Sequence, residues 1–91
     1  MKQIEIRGFV PGNFKDKEFS MRVEDATEIE NFYIEEKIDT KLRYAGGYPI
    51  ISVRGELASK CNPNDRILLS LESYFRAGKK CIRSTGIKKL S

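Results

Sequence analysis

The chain has no histidine, only two cysteines and, beyond Glu72, no acidic residue. Each absence closes off a class of function. Histidine is the commonest general base, transition-metal ligand and activator of Ser or Cys nucleophiles. The acids sit mostly in one crowded, turn-flanked segment, with neither a glycine-rich loop nor a metal-ligand spacing. The expectation is a protein that is not an enzyme and holds no metal or cofactor. Cys61 and Cys81 are too few for a disulfide framework and lack the CxxC spacing of a metal site, so they read as reduced, structural thiols. No apolar run approaches the roughly 20 residues that cross a bilayer, and no membrane partner is expected. Met1 precedes a charged residue and a strand-like alternation, without the apolar region and small-residue cleavage site of an exported chain, so the cytoplasm is the expected location. Neither repeats nor a linker interrupt the 91 residues, which read as one domain, residues 1–91, with room for one thin core and no deep cleft.

Charge is present in quantity and unevenly placed. The formal net charge is +4. Residues 24–39 carry Glu24, Asp25, Glu28, Glu30, Glu35, Glu36 and Asp39 against Lys37 alone. The ending "YFRAGKKCIRSTGIKKLS" carries Arg76, Lys79, Lys80, Arg83, Lys88 and Lys89 with no acid between them. Such a distribution gives a positive face that attracts a polyanion and a separate negative region that repels one or meets a basic partner. A solvated tail is the plainer reading of a like-charge run, but Tyr74, Phe75, Cys81, Ile82, Ile87 and Leu90 alternate through it as they would in a folded strand.

Alternation recurs along the chain. "KQIEIRGFV" sets Ile4, Ile6, Gly8 and Val10 on one face and Gln3, Glu5, Arg7 and Phe9 on the other. "PGNFKDK" is turn chemistry, and "EFSMRVE" completes a first hairpin through Phe19, Met21 and Val23. Asp25 followed by Glu28 offers a helix start within an otherwise β-rich stretch, so residues 25–45 hold at most one short helix or an irregular hairpin. "AGGYPI" is a breaker. "YPIISVRGEL" turns Ile51, Val53, Gly55 and Leu57 inward, and "RILLSLESYF" turns Ile67, Leu69 and Leu71 inward. "RAGKK" closes the last hairpin, and the final strand slips a step near Gly86, as a bulge would require. Short strands with tight turns predict an all-β fold, and closing the sheet removes its edges. Gly8, Gly55 and Gly86 are expected inside strands of a coiled sheet. The expectation is a five-stranded Greek-key barrel of the oligonucleotide/oligosaccharide-binding (OB) type.

The segments "PIISVRGELA", "NDRILLSLESY" and "IKKL", with "MKQIEIRGFV" as the opening strand, resemble the bacterial single-stranded DNA-binding proteins and primosomal replication protein B. The resemblance is strongest over residues 48–90. It implies an OB barrel, a role in DNA replication and single-stranded nucleic acid as partner, DNA more than RNA. Three features depart from the pattern: Asn64-Asp65 stands where a glycine turn is usual, the stretch between Ala58 and Asp65 is too short for the helix of the single-stranded DNA-binding proteins, though primosomal replication protein B is similarly short there, and the acidic residues 25–39 fall where those families carry a basic hairpin.

The candidate phosphate contacts are Arg76, Lys79, Lys80, Arg83, Lys88 and Lys89, since neutralising a backbone needs cations spaced along a surface. Arg7, Arg22 and Arg54 are expected to share one sheet face, where pairing with Glu5, Glu24 and Glu56 is the ordinary alternative; Arg43 lies on a loop leading into a strand. Phe9 and Tyr74, with Tyr44 and Tyr48, are candidate stacking platforms, although strand aromatics commonly pack against neighbours. Two functions follow. One is a non-enzymatic module, a homodimer, that binds single-stranded nucleic acid on a basic face. The other is a protein-interaction or assembly subunit that docks through its acidic residues 24–39 and its basic last hairpin.

Overall fold

The computed structural model describes residues 2–14 and 17–90. Strands β1 (Gln3–Phe9) and β2 (Glu18–Val23) lead into helix α1 (Ala26–Glu35). There follow β3 (Arg43–Ala45), β4 (Tyr48–Arg54), a four-residue helix α2 (Glu56–Ser59), β5 (Arg66–Arg76) and β6 (Lys79–Lys89). All strands belong to one antiparallel sheet in the order β3-β4-β2-β1-β5-β6. The all-β expectation holds, but the five-stranded closed barrel does not: the sheet has six strands and two edges, β3 and β6. Neighbours alternate in direction, so β4 and β6 run parallel, with no ladder joining them.

The sixth strand comes from the glycine pair read as a breaker. Gly46 and Gly47 both take positive φ, 59° and 84°, as a two-residue hairpin turn demands, and so place Ala45 opposite Tyr48. Ala77 and Gly78 do the same at φ 52° and 79°, joining β5 to β6 with Arg76 opposite Lys79. Gly55, expected inside a strand, instead precedes α2 at φ 70°; β4 ends at Arg54, and Leu57 lies on the helix. The slip near Gly86 is real. Ser70 pairs with Gly86 and Leu71 with Ser84, leaving Thr85 as the extra residue of a bulge.

The inward-facing rows form the core: Ile6, Phe19, Met21, Val23, Ile51, Val53, Ile67, Leu69 and Leu71 are all buried, and α1 adds Ile29 and Phe32. Each fully buried aliphatic side chain contributes about 1.5–3 kcal/mol. Asp25 caps α1 as its sequence suggests, its Oδ1 accepting from the Thr27 N–H at 3.0 Å. Gly8 is required where β1 meets β2, since a Cβ there would stand 2.3 Å from the Arg22 carbonyl oxygen.

The C-terminal end of α1 is fastened to the last hairpin. Ser73, fully buried, donates to Glu36 Oε1 at 2.9 Å, and Lys80 Nζ donates to the same oxygen at 3.1 Å. These contacts hold the Glu36 carboxyl below the usual glutamate range: the Lys80 hydrogen bond acts most strongly, then that of Ser73. Beyond the helix, the Asp39 N–H donates to the Lys80 carbonyl at 2.8 Å, and the Asp39 carboxylate accepts from the Lys80 N–H at 2.6 Å. The chain then crosses to β4, where Arg43 pairs with Ile50. Residues 39–43 therefore span one end of the seam between β6 and β4.

Candidate nucleic-acid interface

Directly paired residues in neighbouring strands point to the same side, and successive residues to opposite sides. With Ile6, Met21, Val53 and Leu69 inside, the register assigns every other position. The outward face carries a continuous cross-strand row: Arg66 of β5 pairs with Phe9 of β1, Phe9 with Arg22 of β2, Arg22 with Ile50 of β4, and Ile50 with Arg43 of β3. Cation and apolar residue alternate across the whole row. Beside it, Lys88 of β6 pairs with Leu68 of β5, and Leu68 with Arg7 of β1. Phe9 is 43% exposed and Tyr48, on the same face, 47%. Arg54 lies on this face too, opposite Glu18, with which it forms an exposed ion pair at 3.5 Å that adds little to stability.

The tip of the β5–β6 hairpin continues the face with Tyr74, Arg76, Lys79 and Arg83. The Arg83 guanidinium lies 4.7 Å from the Tyr74 ring centroid, and its Nε donates to Glu72 at 2.7 Å. Arg83, and after it Gln3, hold the Glu72 carboxyl below its ordinary value. The sequence grouping thus brings Arg7, Phe9, Arg22, Arg54, Tyr74, Arg76, Lys79, Arg83 and Lys88 to one side.

It does not bring Lys80 and Lys89 there. Lys80 pairs with Phe75 and Lys89 with the buried Ile67, both opposite in parity to the outward row. Lys80 is spent on Glu36 and on the Phe75 ring, 5.5 Å from its centroid. Lys89 pairs with Asp65 at 3.4 Å. Among the described residues, Arg7, Arg22, Arg43, Arg76, Lys79 and Lys88 form no ion pair.

The acidic stretch is largely occupied within the fold. Glu24 holds Arg66 through two hydrogen bonds, at 2.9 and 3.2 Å, Glu35 pairs with Lys2 at 3.4 Å, and Glu30 accepts from the Tyr44 hydroxyl. That last bond is the main cause that pushes the Tyr44 phenol up. Tyr44 pairs with buried Pro49 and so lies off the outward face. Arg66 and Lys41 were not singled out by the sequence reading, and Arg43 was placed on a loop. The glycine pair at 46–47, taken as a hairpin turn, would have put Arg43 on a strand with a definite face.

Both cysteines are free, Cys61 buried and Cys81 half-buried, and burial raises the Cys61 thiol. Among the described residues no cluster of three His, Cys, Asp or Glu side chains is placed to hold a metal, and no helix is long and apolar enough to cross a membrane. Comparison with protein-family models, curated proteins and solved structures finds no match to the chain.

Proposed function

We propose that this chain is a non-enzymatic module that binds single-stranded nucleic acid, DNA more than RNA, across the outward face of its sheet. The observation that carries the reading is the row Arg66, Phe9, Arg22, Ile50 and Arg43, in which cations alternate with apolar side chains from one sheet edge to β5. A single strand offers phosphates and base faces in turn, so a surface of this composition takes both without reading sequence. Affinity then comes from released counterions and from stacking. In this reading the sheet is an OB-type barrel left open between β4 and β6 and extended by β3, acting in the cytoplasm in a replication role and pairing as a homodimer to lengthen a short track. Docking through residues 24–39 is the weaker reading, because Glu24, Glu30, Glu35, Glu36 and Asp39 already have partners in the fold.

Fluorescence anisotropy with a labelled mixed-sequence oligonucleotide tests this. Affinity is expected to fall with rising salt at a log–log slope of roughly −0.7 per phosphate neutralised. Tyr74→Ala is expected to cost about 1–3 kcal/mol if the ring stacks on a base, with the slope unchanged. Absence of binding in low salt overturns the proposal.

A further inference from the structure

The seam between β4 and β6 holds a cleft of about 190 Å³ lined by Tyr33, Lys41, Arg43, Ile50–Ser52, Leu71 and Ile82–Ser84. Its lining contains three cations and two serine hydroxyls and no carboxylate. Lys41 and Arg43 form no ion pair among the described residues, while Arg83 keeps Glu72 as its partner. The backbone contributes as well. Lys80 turns both its N–H and its carbonyl away from β5 and toward Asp39. The alternation of an antiparallel ladder therefore turns the N–H of Ile82, two residues on, to the same open side.

The cleft is a blind end, because residues 39–43 cross it from Lys80 to Ile50. A strand cannot run through it, but the end of one can enter. Two unpaired cations, hydroxyls and a free N–H suit a doubly charged phosphate monoester better than the singly charged diester of a chain interior. We propose that the seam cleft seats a terminal phosphate of the bound strand. Arg43 belongs both to this cleft and to the outward row, so the ligand continues from the cleft onto the track. The inference rests on the strand-binding reading for the remainder of that ligand.

The test compares one oligonucleotide in three forms, 5′-phosphorylated, 3′-phosphorylated and unphosphorylated, at fixed salt. One phosphorylated end is expected to bind about tenfold tighter than the unphosphorylated form. Lys41→Ala, ahead of β3, together with Ser84→Ala, opposite buried Leu71 and so off the outward face, is expected to abolish that preference while leaving affinity for the unphosphorylated strand in place. Equal affinity for all three forms overturns the terminal-phosphate site and leaves strand binding standing. If no form binds, the strand-binding reading fails, and thymidine 5′-monophosphate alone judges the cleft by nuclear magnetic resonance. Shifts of the Arg43, Ser52 and Ile82 amides then support a phosphate site, and unmoved amides overturn it. Tighter binding of an acidic peptide than of any phosphorylated strand also overturns it.

Discussion

Val53 and Ser52 are neighbours in β4 with opposite surroundings: Val53 is fully buried among the core residues, and Ser52 is exposed at the seam. Val53→Asp is expected to unfold the domain, since it buries a charge with no partner. Ser52→Asp is expected to leave the melting temperature within a few degrees of wild type, because surface changes are usually within about 0.5 kcal/mol and 1 kcal/mol shifts a domain of this size by about 4–8 °C. Circular dichroism melts in which the two variants behave alike would remove the register. The same parity explains which candidate residues the sequence placed well. Arg7, Phe9 and Arg22 were legible because the apolar alternation around them was clean. Lys80 was grouped with Lys79 because the basic ending was pooled as one patch, although adjacent lysines on a strand must face opposite ways. Lys79 stays outward, and Lys80 turns to Glu36.

At the scale of elements, turn and cap chemistry decided what could be read. Asp25 announced α1, and the Arg76–Lys79 turn announced the last hairpin, because both signals are local. The strand β3 is three residues long, too short for any period to show, and its one local signal is the Gly46-Gly47 pair, whose positive φ values make the hairpin turn. The fastening of α1 was likewise illegible, because it joins residues 37 and 44 positions apart in sequence. It has a pH signature. The folded Glu36 carboxyl titrates below its unfolded value, so its stabilisation is fully present above about pH 4.3, the ordinary glutamate value, and is lost as pH falls through the lower folded value. Glu36→Gln is expected to lower stability at neutral pH and to flatten the fall in melting temperature on acidification. Glu72, also lowered and held by Arg83, leaves a residual slope. A variant whose melting temperature follows pH as wild type does would show that Glu36 is not a latch.

For the whole molecule, the closure of the sheet was the least legible feature, since it depends on pairings between distant segments and not on any local pattern. What the assembled sheet adds is a division of the cations into those that face outward and those that hold the fold together. That division makes a prediction the composition alone could not. Arg76, Lys79 and Lys88 lie on the outward face without ion pairs among the described residues, whereas Lys80 and Lys89 are paired with Glu36 and Asp65. Replacing Arg76, Lys79 and Lys88 together by Ser is expected to flatten the salt dependence of strand binding by about 2 in log–log slope, at roughly 0.7 per lost phosphate contact, with little change in melting temperature. Replacing Lys80 and Lys89 by Ser removes the same kind of charge from the same hairpin. It is expected to lower the melting temperature, because Glu36 loses its partner, and to leave the slope near the wild-type value. The two variants, measured by anisotropy across a salt series and by thermal melts, should separate cleanly. Equal slopes for both would mean that the polyanion responds only to total charge, and the outward face would lose its claim to be the track.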